Sequence, residues 1–120
     1  MRSNQVEINK DLNLITSGSK FDGVIEFSEY TRFEGYLKGT LRGQEGSELI
    51  IGENGVIVGK IEGDSIIIDG FVRGNITART KVIITETGRV IGKIHAPSLG
   101  IKFGGYFDGK CAMGSDNLEL

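Results

Sequence analysis

Two side chains stand out as candidates for chemistry because the chain holds one of each, His95 and Cys111. A histidine can act as a general base near neutral pH. The run Ile51-Gly52-Glu53-Asn54-Gly55-Val56-Ile57-Val58-Gly59 could pass for the hexapeptide repeats of acyltransferases that use such a base. Yet His95 directly follows the apolar Ile94 and precedes Ala96-Pro97, which points it outward at a corner. A zinc site of the carbonic anhydrase kind takes three histidines, and this chain has one. The single cysteine excludes an internal disulfide and a cysteine-built zinc site, and it fits a reducing compartment.

Other short motifs lack their context. Gly59-Lys60, Gly92-Lys93 and Gly109-Lys110 resemble the end of a P-loop, but none continues to Ser or Thr or opens a helix. Asn75-Ile76-Thr77 is a formal glycosylation sequon, which we take as chance. The run Gly35-x-x-x-Gly39-x-x-x-Gly43 has the spacing of a membrane helix-packing motif, but Lys38 and Arg42 inside it exclude lipid. No residue set calls for a catalytic site, a metal or a cofactor, so we expect a protein that is not an enzyme.

The elements that hold these residues follow from repetition. The chain has 120 residues, room for one domain, and contains 19 glycines but one proline. Average glycine usage is about 7%, so the fold uses glycine repeatedly. Ile51 through Ile61 lies over Ile84 through Ile94 at an offset of 33, and Phe33 through Leu41 lies over Ile68 through Ile76 at an offset of 35. Ile101 through Cys111 repeats Ile84 through Ile94 at an offset of 17, with Gly105 on Gly88 and Gly109 on Gly92. The true period is therefore half the longer offsets. Gly59, Gly74, Gly92 and Gly109 are 15, 18 and 17 residues apart, the length of one β-helix winding, and Gly23 and Gly39 bring the number of windings to about six.

Within each unit the residues alternate with period 2, as in a strand with one buried face. Phe33, Gly35, Leu37, Gly39 and Leu41 point one way, whereas Glu34, Tyr36, Lys38, Thr40 and Arg42 point the other. The same split places Ile66, Ile68, Gly70, Val72, Gly74, Ile76 and Ala78 inside. It recurs at Leu99, Ile101, Phe103, Gly105, Phe107, Gly109, Cys111 and Met113, which predicts a dry face throughout and a buried Cys111 in the column of Ile61 and Ile94. Lys60, Lys93 and Lys110 form an outward column, interrupted by Asn75, that reads as a solvated face. Windings stacked at the strand spacing of about 4.8 Å make a rod of roughly 29 Å. Hexapeptide-repeat enzymes need windings of strict length, and these vary.

Net charge is −2 with scattered basic residues, so nucleic acid is excluded as a partner. No stretch approaches the roughly 18 apolar residues that span a bilayer, and Met1 to Leu14 lacks the apolar core of a signal peptide. We expect a cytoplasmic protein with a polar tail at 1–14, a β-helix domain at 15–113 and a second tail at 114–120. Val6, Ile8, Leu12 and Leu14 alternate, so the first tail could pair as a cap strand, stay disordered or touch a membrane peripherally. Stable attachment would need more apolar area or a second signal.

The pairing of Phe33-Glu34-Gly35-x-x-x-Gly39-x-Leu41 with Leu49-Ile50-Ile51-Gly52-Glu53-Asn54-Gly55-x-x-x-Gly59, followed by Val72-Arg73-Gly74-Asn75-Ile76, resembles the bactofilins, a polymer-forming bacterial cytoskeletal family. The likeness runs from about Ile15 to Met113 and includes the closing Phe107-Asp108-Gly109-Lys110-Cys111-Ala112-Met113. The resemblance implies an all-β, single-stranded parallel β-helix, right-handed and roughly triangular. It also implies end-to-end polymerisation without nucleotide into non-polar filaments that scaffold cell shape, envelope growth or protein localisation. The implied partners are further copies of the chain and envelope or cell-wall-modifying proteins, with a location in the cytoplasm, at the inner face of the membrane. The polar segment Met1 to Ile8 departs from the membrane-targeting tail that some members carry.

A β-helix without polar caps exposes unpaired strand edges beside apolar surface, a template for another copy. Aromatic residues collect near the two ends: Phe21, Phe27, Tyr30, Phe33 and Tyr36 early, and Phe103, Tyr106 and Phe107 late. Phe103 falls in the column of Glu53 and Glu86, a solvated corner. We therefore expect Phe103, Tyr106 and Phe107 to form a C-terminal polymer contact, the alternative being that Phe103 folds over the open core as a lid. Phe21 and Ile15 are candidates for the N-terminal contact. Gly23, Gly35, Gly39, Gly59, Gly70, Gly74, Gly92 and Gly109 are the core glycines of the windings. The alternative functions are a non-polymerising adaptor that uses its outer faces and a hexapeptide-repeat-type acyltransferase.

Overall fold

The computed structural model describes residues 5–8, 12–15, 18 and 20–113, with backbone alone for 5–8 and 12–15. The tail expected at 114–120 lies outside them, as do 1–4 and 9–11 of the N-terminal tail. Every regular element among the described residues is a strand: β1 Gln5–Ile8, β2 Leu12–Ile15, β3 Lys20–Phe27, β4 Tyr30–Phe33, β5 Tyr36–Gly43, β6 Glu48–Ile51, β7 Val56–Ile68, β8 Phe71–Ile84, β9 Arg89–Ala96, β10 Leu99–Ile101 and β11 Tyr106–Met113. All pairings are parallel. The chain is a β-solenoid of about six windings, as its repeats imply.

Each winding has three straight segments. The first two are halves of one strand, bent at a glycine: β3, β5, β7, β8, β9 and β11 stack with Gly23, Gly39, Gly59, Gly74, Gly92 and Gly109 in register. The third segment stacks β2, β4, β6, the second halves of β7 and β8, and β10. From Gly39 onward, a Cβ added at any of these corner glycines would fall well inside 3.0 Å of the carbonyl oxygen of the glycine one winding earlier. Their φ values run from +119° to +151°, where side chains are rarely accommodated. The corner therefore depends on an unbroken glycine column.

The inward columns are apolar. Leu37, Ile57, Val72 and Val90 form one, Leu41, Ile61, Ile76 and Ile94 a second, and Ile51, Ile68 and Ile84 a third, all at most 1% exposed. Small residues form a fourth, in which Gly43, Gly63, Ala78 and Ala96 follow Phe27, and the Phe27 ring fills the space that a side chain on Gly43 would need. Phe27 and Phe33 are thus core residues and present no aromatic surface at the N-terminal end. The Gly39 to Gly59 winding is 20 residues long, beyond the expected range, because it carries both the loop at 44–47 and the turn at 52–55.

At the corner after the second segment, Arg79 clasps three windings. Its guanidinium donates to the Gly43 carbonyl at 2.8 Å and pairs with Asp64, whose carboxylate also accepts the Gly46 N–H. Removing the cation leaves Asp64, whose side chain is 15% exposed, without its counter-charge. Arg79→Ala is expected to cost about 1 kcal/mol, since Arg79 itself is half-exposed. Chemical denaturation with an unchanged m-value checks this.

Candidate functional site

The two ends of the rod differ. At the N-terminal end, β1 covers the edge of β3 at Val24 to Phe27 and β2 covers the edge of β4. Among the described residues no strand pairs with that edge of Lys20 to Gly23, the segment that includes Phe21. Phe21 is half-buried, packs against the core and meets Phe33 with ring centroids 6.3 Å apart. Ile15 ends β2, opposite Phe33.

At the C-terminal end no described strand follows β10 or β11. Among the described residues their far edges have no strand partner, and unpaired N–H and C=O groups on such an edge favour addition of another strand. The last residues of the inward columns are uncovered as well: Ile101 is 46% exposed and Met113 51%. Phe107 is held partly against the core, below Val90. Tyr106 is exposed, with its hydroxyl donating to Asp108 at 3.4 Å.

Phe103 occupies the turn Lys102-Phe103-Gly104-Gly105, closed by the Gly105 N–H donating to the Lys102 carbonyl at 2.8 Å. Glu53 and Glu86 take the equivalent place in earlier turns and are exposed. Phe103 is 100% exposed. It therefore covers no part of the core within its own chain, and the alternation that put it inward stops at the turn. Phe103, Tyr106, Phe107, Ile101 and Met113 together give the last winding an apolar end.

Cys111 corrects an expectation. It stands in register with Ile94, as the repeat requires, but it is exposed. Its column sets the direction of its side chain, and no further winding among the described residues lies below it. Partial desolvation nevertheless pushes its thiol pKa up, so the thiolate is disfavoured near neutral pH.

His95 points outward, beside the buried Ala96, in a column with Glu62, Thr77 and Ala112. With Lys60, Asn75 and Lys93 it lines a shallow groove. Among the described residues no three acidic, histidine or cysteine side chains gather as metal ligands. The Lys60, Asn75, Lys93 and Lys110 column is in register as expected, and Thr40 precedes it.

The sequence reading passed over one outward feature. Ile50, Ile67 and Ile83 are in register on the outer side of the third face, each half-buried. Their signal was a three-residue apolar run in successive windings, Leu49 to Ile51, Ile66 to Ile68 and Val82 to Ile84, which hides the period-2 alternation.

Residues 13–112 match a family model described as "Bactofilin: polymer-forming cytoskeletal". The chain is 35% identical over 100 residues to bactofilin BacO of Myxococcus xanthus (strain DK1622), covering 83% of this chain and 78% of that one. It is 36% identical over 81 residues to bactofilin BacP of the same organism, covering 62% of this chain and 34% of that one. No solved structure matches it.

Proposed function

We propose, for a chain that belongs to the bactofilin family, that it acts as a structural scaffold rather than an enzyme, polymerising end to end into filaments without nucleotide. The carrying observation is the open, apolar last winding, where Phe103 is fully exposed beside the unpaired edges of β10 and β11. A second copy seated there satisfies the backbone edge groups and removes Ile101, Phe103, Tyr106 and Met113 from water. Burial of that kind drives association at about 25 cal/mol per Å² of apolar surface before the costs of ordering are subtracted. The filament supports cell shape, envelope growth or protein localisation from the cytoplasmic side of the membrane, and its outer faces are left to recruit envelope or cell-wall-modifying proteins. No helix among the described residues is long and apolar enough to cross a membrane, and we place any membrane contact at the periphery.

Filaments by negative-stain electron microscopy in nucleotide-free buffer are the expected result, and a uniform monomer at high concentration would overturn the reading. Polarity has its own test, because Cys111 is the one cysteine and sits in the last winding. In a non-polar filament C-terminal ends meet, so a short thiol-reactive cross-linker at mildly alkaline pH should give covalent dimers. In a head-to-tail filament each Cys111 is a rod length from the next, and cross-linked dimers should be absent.

A further inference from the structure

We infer that the third outer face is a lateral contact between two copies of this chain, in which their rods lie antiparallel, so that filaments pair side by side. The inference rests on the filament reading above and adds a second, sideways surface to it.

The face presents two outward columns. One runs Arg32, Ile50, Ile67, Ile83 and Gly100, the other Tyr30, Glu48, Ser65 and Lys81, with Ser98 next; Leu14 and Leu12 precede Arg32 and Tyr30 in register, one winding beyond the matched set. The apolar stripe is centred on Ile67, and the charge changes sign across it, from Glu48 to Lys81. A two-fold axis running along the strand at Ile67 reverses the rod and keeps the strand direction, giving an isologous contact. Ile67 then meets Ile67 of the second copy, and Ile50 meets Ile83. Glu48 meets Lys81 twice, once from each side. Arg32, the bulkiest residue of its column, falls opposite Gly100, the smallest.

Arg32 is prepared for that place. Its Nε donates to Glu34 at 2.8 Å, so its charge is already matched within its own chain. Burial pushes the Glu34 carboxyl up, but Arg32 and the Asn54 N–H at 3.2 Å outweigh it and hold the pKa below the ordinary value. At the rim Glu34 of one copy faces Lys102 of the other. Asp69 faces its own equivalent there, the one like-charge pair of the arrangement, and each carboxylate is offset within its own chain by the Thr85 hydroxyl that donates to it and by the nearby Arg32.

Other arrangements of the same surfaces fail this comparison. With parallel rods the strand direction reverses, and a two-fold through the isoleucine column keeps isoleucine on isoleucine but sets Arg32 against Arg32 and takes Glu48 away from Lys81. On the first face, which also carries apolar residues, an antiparallel two-fold midway between Val56 and Phe71 sets Asp22 against Asp108, and one at Phe71 sets Arg73 against itself. Three isoleucines per copy make a patch below the roughly 1,000 Å² of a stable interface. The contact is therefore weak between single subunits and is expressed when filaments present many stripes together.

Electron microscopy and pelleting of the full chain at low salt test this with outward substitutions. The wild type should give paired filaments. Ile67→Lys, and the milder Ile67→Thr that keeps a strand-favouring side chain, should give single filaments with an unchanged pelleted fraction. Glu48→Lys should also abolish pairing, and Glu48→Lys with Lys81→Glu should restore it. Pairing that survives Ile67→Lys, or a double charge reversal that fails to restore it, overturns the inference. Wild-type filaments that stay single overturn it alone, whereas a wild type with no filaments overturns it together with the end-to-end reading.

Discussion

Gly59→Ala should lower the midpoint of thermal unfolding by on the order of 15 °C, whereas Gly46→Ala should lower it by only a few degrees. Both glycines have positive φ, +140° and +84° respectively, so conformational strain alone does not separate them. What separates them is the surroundings. Behind Gly46 nothing lies within 4 Å, and its cost is the left-handed backbone alone, about 1 kcal/mol. Behind Gly59 lies the backbone of Gly39, and Gly59 in turn stands behind Gly74. The added methyl group must displace a carbonyl that belongs to a neighbouring winding, so strain and overpacking add to about 4 kcal/mol. That is a large fraction of the 5–15 kcal/mol a domain usually has. Thermal unfolding followed by circular dichroism reads the difference. Equal effects at the two positions would mean that the windings can spread locally and that the glycine column is not needed for stacking.

That glycine column is also why the fold is legible in the sequence. Gly59, Gly74, Gly92 and Gly109 mark the same corner in successive windings, and the alternation around them assigns residues such as Leu37, Leu41, Ile76 and Ala78 to the interior, where they are buried. Register along a column is a local property of each repeat, so sequence carries it well. Burial is a property of the stack. Cys111 and Met113 occupy inward columns yet face solvent, because nothing in their own winding says whether another follows. Phe27 shows the converse: as an aromatic near an end it suggested surface, but the space above Gly43 takes it into the core, where Phe33 also lies, as its alternation requires. The Ile50, Ile67 and Ile83 stripe was obscured for a third reason. Apolar residues on both sides of a strand remove the alternation that tells inside from outside.

Phe103→Arg should leave the chain folded and abolish filaments. The side chain is 100% exposed and closes no contact in its own chain, so the change should alter stability by no more than about 0.5 kcal/mol. At a C-terminal junction the situation reverses. Where like ends meet, two copies of residue 103 come to the same interface, and each phenylalanine that lost water would be replaced by a cation that must keep it. Like charges brought together on desolvation cost several kcal/mol, and at ~3 kcal/mol the concentration needed for assembly rises about a hundredfold. The product left behind is informative. A non-polar filament has two kinds of junction, so blocking the C-terminal one should leave dimers joined through their N-terminal ends. A head-to-tail filament has one kind, and its loss should leave monomers. Light scattering after size exclusion separates the two, and Phe103→Leu, which keeps an apolar side chain, should still polymerise. Intact filaments in Phe103→Arg would remove Phe103 from the junction. The unpaired edges of β10 and β11 would then have to carry the contact through backbone hydrogen bonds, with Ile101 and Met113 as its apolar part.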